Sequence, residues 1–447
     1  MMKKYVIGRV QKPWKNRTPP IQGGSPKCKV QDINDNTEKS SVSKKVSGSS
    51  SGKVEVESPS SSYIASQTKE QIDLDLKKYP SLDSGVQNEI AKKYRALEDR
   101  LRREGLYNCD YSAYLFDALR CSILFSVMLL FLHWGQYILS AISLGCFWHQ
   151  LVFTVHDAAH MGITHNYHID SVIGMSIGSF IGGLSVCWWK NSHNIHHIVT
   201  NAPEHDPDIE HLPFLAISHR FFESLRSTYY DRVMGYTPIA KFMMQYQSYF
   251  YYLILAFGRF NLYVLSWEYL FLDRGPRSNR WHRYFEIVGI AFFWYWFGYR
   301  LIYLSIPGWN RLAFIMTSHM VTMPLHVQFT LSHFAMSTAD LGPSESFAQK
   351  MLRTTMDVDC APWMDFFHGG LQFQAVHHLF PRLPRYNLRK ASALVREFSM
   401  ETGVGYEVFG FGECNGKVLS RLEEVGRQAA VLKMCQESVV KRGLGGY

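Results

Sequence analysis

Seven histidines fall in three clusters whose spacing suits metal chemistry. His156-Asp157-Ala158-Ala159-His160 comes first, His193-Asn194-Ile195-His196-His197 second, and Gln374-Ala375-Val376-His377-His378 far downstream. On a helix, residues at i, i+3 and i+4 share a face. His156 and His160 can therefore point at one centre, and His193, His196 and His197 can do the same. His377 and His378 form a third such set, with Gln374 one turn earlier. Neutral imidazole suits iron, copper, nickel and zinc. Seven nitrogens exceed what one four- or six-coordinate ion can use, so two metals are expected. Chance could produce a single HxxxH, but three boxes, two with adjacent histidine pairs, argue against chance. No HExxH sets a glutamate base beside the ligands, so zinc hydrolysis fits less well than oxygen activation by iron.

The elements that must gather these boxes are apolar. Of 447 residues, 47% are hydrophobic and 15% aromatic, and the formal charge is +9. With long apolar runs present, that basic balance suits an anionic membrane surface, and no nucleic-acid partner is expected. The eight cysteines contain no CxxC, so a disulfide framework or zinc knuckle is unsupported and a reducing, cytosol-facing setting fits. The first residues lack the apolar core of a signal peptide. Residues 1–22 read as a basic segment and 23–72 as a disordered Ser-rich linker, leaving 73–447 as the domain that carries the chemistry. A helix is expected over 84–104, capped by Ser81 or Ser84, with Val86, Ile90, Leu97 and Leu101 in one stripe.

Four runs are long enough to span a bilayer: about 115–132, 137–155, 287–306 and 312–331. Short turns at 133–136 and 307–309 join them into two hairpins. The predicted fold class is an all-α membrane protein, four transmembrane helices in two hairpins under a cytosolic helical cap that holds the di-metal site. The boxes must share one side. The glycine-punctuated run 171–188 is therefore read as interfacial or re-entrant, and 251–270 as an amphipathic surface helix carrying Arg259 and Glu268. The segments on the box side hold most of the Lys and Arg, which predicts that this side is cytosolic.

His319, His326 and His333 recur every seven residues. His333 lies just past the fourth run, at the level of the boxes, and is expected as an eighth metal ligand. His326 would sit about 10 Å deeper at 1.5 Å per residue. A substrate tunnel or a helix contact suits it and His319 better, and packing suits His149 and Gln150. Asp206, in the Glu204–Asp208 run, could orient an imidazole, although Pro203 and Pro207 also suit a plain turn. Asp157 and Gln374, beside their boxes, are candidates for a similar supporting or substrate-facing role.

The segments HDAAHMGITHNYHID, NIHHIVTNAPEHDPDIEHLP, TLSHFAMSTADLGP, MLRTTMDVDC and DFFHGGLQFQAVHHLFPRLPR resemble the membrane fatty-acyl desaturases with HxxxH, HxxHH and QxxHH boxes. The glutamine-led third box marks the front-end group, and the match is closer still to fungal sphingolipid 8-desaturases. IGRVQKPWKNRTPPIQGG near the start shares that likeness. The resemblance implies two iron ions, O2, and electrons from cytochrome b5 and its reductase. It implies removal of hydrogen from two adjacent carbons of a lipid chain, with the long-chain base of ceramide as substrate. It also implies an endoplasmic reticulum membrane protein with its N-terminus and metal site facing the cytosol. Front-end members usually carry an N-terminal cytochrome b5 domain with a His-Pro-Gly-Gly motif, which this sequence lacks. The expectation is a donor acting in trans or a longer parent protein. Two other readings are a di-iron lipid hydroxylase and a non-catalytic membrane partner left without its donor domain.

Overall fold

The computed structural model describes residues 59–272 and 280–444 and is mostly helical. The basic segment 1–22 and most of the expected linker lie outside the described residues. The last part of that linker is a correction. Helix α1 spans Pro59–Lys78, so 59–72 is folded. The composition that suggested disorder is offset by tertiary bonds. Thr68 Oγ1 lies 2.9 Å from His219, and Asp75 receives bonds from Ser337 Oγ (2.5 Å) and Arg353 Nη1 (2.9 Å). Helix α2, Ser84–Arg103, buries Ile90, Leu97 and Leu101 but leaves Val86 exposed, and Asp83 rather than a serine caps it.

Helices α3 (Tyr111–His133) and α4 (Tyr137–Ala159) form the first expected hairpin, turned at Gly135 with φ +67°, a left-handed value that glycine adopts without strain. Helix α3 turns Leu115, Phe116, Leu119 and Ile123 outward and buries Cys121 and Met128 against its partner. Helices α5 (Tyr167–Phe180) and α6 (Val186–Val199) occupy the glycine-punctuated run, each too short to span a bilayer. The expected amphipathic surface helix is corrected. Residues 251–270 belong to two helices, α7 (Pro238–Ala256) and α8 (Gly258–Phe271), and Arg259 is buried. Its guanidinium donates to the Gly182 carbonyl at 2.7 Å and lies 3.9 Å from the Trp148 ring, so the charge is satisfied inside.

Helix α9 (Arg280–Phe293) continues as a π-helix through Ser305. The fourth expected span is divided into α10 (Asn310–Met320) and α11 (Met323–Leu331). Pro324 has no N–H to return to the Met320 carbonyl four residues back, and Thr322 closes the end of α10 by donating both its N–H (3.1 Å) and its Oγ1 (2.6 Å) to the His319 carbonyl. Among the described residues, three helices are long and apolar enough to cross a membrane: Tyr111–His133, Tyr137–Ala159 and Arg280–Ser305. Four unbroken spans are therefore not found. The broken pair still packs on α4. Gly145 permits this, because a Cβ there would lie 2.6 Å from Val321 Cβ and 2.7 Å from the Ser318 carbonyl.

The remaining elements build the cap: α12 (Phe347–Thr354), α13 (Asp365–His368), α14 (Gln374–Leu379), α15 (Leu388–Thr402) and α16 (Phe411–Leu444). Two small sheets brace them. Strands β1 (Leu225–Ser227) and β2 (Arg232–Met234) pair antiparallel, and β3 (Asp357–Asp359) runs parallel to β4 (Val408–Gly410). Apolar cores flank the boxes on both sides. Phe334, next to His333, packs with Met244, Tyr251 and Leu422, while Val376, next to His377, packs with Leu97, Leu101 and Val395.

Arg353 ties α1 to α12. It is 1% exposed and bonds both Asp75 and Glu345 at 2.8–2.9 Å. Arg353→Ala should cost about 3–5 kcal/mol, because it strands two carboxylates inside. A thermal unfolding midpoint within a degree of the parent's, in the same detergent, would contradict this lock.

Candidate metal centre

The site begins with a helix-geometry fact: adjacent residues on an α-helix point about 100° apart. Each adjacent histidine pair therefore serves two directions. His156 and His160 at the end of α4, His193 of α6 and His377 of α14 place donor nitrogens within 4.8 Å of one another. His196 of α6, His333 after α11 and His378 of α14 form a second such nest. The expectation that each box aims at a single centre is thus corrected. The second box splits between His193 and His196, and the third between His377 and His378. His197 sits between the nests, its Nε2 3.1 Å from His193 Nε2 and its ring stacked 4.2 Å from His378.

Tautomers follow from the outer bonds. Asp206 accepts from His196 Nδ1 at 2.9 Å and is held in turn by the backbone N–H groups of Asn201 (2.7 Å) and Asp208 (2.9 Å). Asp208 takes His193 Nδ1 at 3.3 Å. The Thr200 hydroxyl donates to the His196 carbonyl at 2.7 Å, which leaves its oxygen to accept from His378 Nδ1 at 3.3 Å. In His193 and His378 Nδ1 keeps the proton and Nε2 presents a lone pair inward, and in His196 Nε2 does so once a cation displaces its proton.

Burial completes the arrangement. It pushes His193 down to about 4 despite Asp208, and burial with neighbouring imidazoles holds His197, His333, His377 and His378 well below the ordinary histidine value. His196 is the exception, because burial lowers it but Asp206 and Asp208 push it up to about 9. Most of these rings are therefore neutral at pH 7, the form that binds metal. The Nε2 atoms of His160, His377 and His378 are buried without a hydrogen-bond partner among the described residues. Unpartnered lone pairs converging in two nests fit two soft-to-borderline cations.

Other sequence candidates stand outside the nests. Asp157 binds Tyr114 (2.5 Å) and Arg385, with His156 Nδ1 3.8 Å away. Gln374 opens α14 and is buried there. His326 is buried in α11, two turns below His333. His319 bonds the Ile315 carbonyl at 2.8 Å and stacks on Phe260 at 4.5 Å, a helix contact. His149 stacks on Phe367 at 5.2 Å and bonds Gln150.

Sequence reasoning missed the carboxylates that hold the box helices. Glu286 of α9 accepts from the N–H groups of Val186 (2.6 Å) and Cys187 (3.0 Å) and from Ser185 Oγ (2.7 Å), so it caps α6. Asp357 accepts from the Ala375 N–H at 2.7 Å at the head of α14 and is held by Tyr406. Negative charge at a helix N-terminus is stabilising, and both groups are fully buried. The available signal was a lone glutamate beside an apolar run, since such groups face the protein interior. Glu286→Gln should cost about 1–3 kcal/mol, by halving the acceptor capacity at the α6 terminus. Hydrogen exchange at Val186 and Cys187 should accelerate, and unchanged exchange there would contradict the cap.

A family model described as fatty acid desaturase matches residues 132–410, which include every histidine of both nests. A Delta 8-(E)-sphingolipid desaturase of Emericella nidulans is 53% identical over 467 residues, covering 98% of this chain and 85% of the relative. A protein of the same name from Komagataella phaffii is 46% identical, covering 98% and 84%. The Delta(8)-fatty-acid desaturase 1 of Arabidopsis thaliana is 35% identical, with 76% of each chain covered. The chain belongs to the fatty acid desaturase family, as an oxidoreductase that desaturates lipids.

Proposed function

We propose that this protein introduces a trans double bond at the 8-position of the sphingoid base in ceramide, using O2 and two iron ions. The observation that carries the reading is the pair of imidazole nests. The names of the fungal relatives support that position and that geometry. His156, His160, His193 and His377 would hold one iron, and His196, His333 and His378 the other, with His197 adjoining both sets. Bound there, iron would supply the oxidising power by which O2, two electrons and two protons take a hydrogen from each of two adjacent carbons, giving a double bond and two waters.

The chain's own residues do the rest. Asp206, Asp208 and Thr200 fix Nδ1 protons and so hold the Nε2 lone pairs inward. Glu286 and Asp357 keep α6 and α14 in register, so that the nests stay at fixed separation while lipid passes. Phe334 and Val376, packed beside the ligands, keep bulk water away. The electrons come from cytochrome b5 and its reductase, either in trans or on the same polypeptide. The protein resides in the endoplasmic reticulum with the nests on the cytosolic side, and α10 with α11 completes a fourth crossing.

Expression in a yeast that lacks 8-unsaturated bases, with cytochrome b5 co-expressed, tests the reaction by mass spectrometry of long-chain bases. New 8-unsaturated bases are expected, absent in His193→Ala. A hydroxylated base, or the same product from His193→Ala, would overturn the reading. Asp206→Asn should weaken iron affinity about 10–100-fold in chelator competition, because the replacement no longer fixes the His196 tautomer. Affinity equal to the parent's would remove Asp206 from the account.

A further inference from the structure

The two nests differ in the charges around them. Asp208 serves both, 3.3 Å from His193 Nδ1 and 3.9 Å from His196 Nδ1. Asp157, beside His156, is matched by Arg385. What distinguishes the second nest is Asp206, whose carboxylate bonds His196 Nδ1 at 2.9 Å. What distinguishes the first is a cation. Lys190 stands three residues before His193 and seven before His197, on the face of α6 that carries both. Its charge is felt at His160, a member of the first nest.

The Lys190 Nζ is buried and has no hydrogen-bond partner among the described residues. An ammonium carries three N–H donors, and leaving them unmet inside a protein is costly. The Tyr167 ring, 4.8 Å from Nζ, offers its face to the charge. Burial pulls Lys190 below the ordinary lysine value, while Asp170 and the Tyr167 face act to keep the proton. Asp170 itself accepts from the Thr164 N–H at 3.0 Å and hydroxyl at 2.6 Å, which leaves Lys190 without a bonded carboxylate among the described residues. A methionine would fill the same space without that cost, so the charge is the feature to explain. A buried charge reaches far because the interior screens it weakly. Beside a metal position, a cation opposes the binding of a divalent ion and favours the lower oxidation state of a metal already held, and a carboxylate does the opposite.

We propose that Lys190 is a positioning residue that acts through charge. It lowers the affinity of the first nest for a divalent cation and raises the reduction potential of iron held there, while Asp206 does the reverse at the second nest. An electron reaching the centre then reduces the first-nest iron, Fe(III) to Fe(II), ahead of the other. The proposal rests on the two-iron reading above.

The test uses the full chain in lipid nanodiscs, stripped of metal, as parent, Lys190→Met and Lys190→Arg. Zn²⁺ affinity is measured by chelator competition at pH 7. In Lys190→Met one of the two sites should bind roughly 10–100-fold tighter, and Lys190→Arg should match the parent. With iron bound, spectroelectrochemical titration of Lys190→Met should show one of two potentials falling by ~59 mV, a tenfold change for one electron. Two backgrounds assign the nest. The shift should persist in His378→Ala, which keeps the first nest, and vanish in His160→Ala, which keeps the second. A lysine with only a structural role would loosen metal when replaced, the opposite sense. Unchanged affinities and potentials, equal shifts at both sites, or weaker binding in Lys190→Met would overturn the proposal. A parent that binds a single Zn²⁺ would sink the two-metal reading and the proposal with it. Two bound Zn²⁺ with no response to Lys190→Met would sink the charge argument alone.

Discussion

The structure depends on keeping eight imidazoles packed together, six of them buried, most of them neutral and several with bare lone pairs. Left unpaired, buried polar atoms favour collapse or hydration of the site. The fold resists both by fixing what lies behind the rings. Asp206, Asp208 and Thr200 each hold an Nδ1, and that choice decides where every second nitrogen points. Behind these lie the helix anchors. Glu286 reaches α6 from a membrane helix, Asp357 reaches α14 from a strand, and Arg385 grips Asp157 beside His156 from the segment after the third box. The first two boxes are thus tied to parts of the chain remote from them in sequence, and the third to a strand just upstream.

The boxes, the eighth histidine and the first hairpin were legible in the sequence because each rests on a local period. HxxxH and HxxHH declare a helix face, the seven-residue recurrence of His319, His326 and His333 picks out one stripe, and the runs before His133 and after Gln136 have bilayer length. What escaped was non-local. Arg259 read as a solvent-facing charge, but its partners, Trp148 and the Gly182 carbonyl, lie far away in the chain. The 59–72 stretch read as linker because its bonds are to His219 and other cap residues that no window includes. The division of His377 from His378 was implicit in the helix angle, whereas that of His193 from His196, three residues apart on one face, was not. Both became definite only when His333 and His156 supplied the two directions.

The two halves of the molecule solve different problems. The membrane helices meet through aromatic and aliphatic packing around Trp148, Phe293 and Phe297, with Gly145 and Pro324 shaping the contact between α4 and the broken α10–α11 pair. The cap contributes charge, capping and two separate apolar cores. The histidines sit where these regimes join. Apolar helices meet them from one side and polar support from the other.

The central claim is that the histidines form two separate metal nests with distinct ligand sets. The most direct measurement is iron bound per chain in the purified protein and in two variants, His378→Ala and His160→Ala, by mass-spectrometric metal analysis with chain-mass normalisation. The account predicts two irons in the parent and a drop towards one in each variant, with the two variants losing spectroscopically different irons. A parent that binds a single iron, or a His378→Ala protein that keeps both, would contradict it.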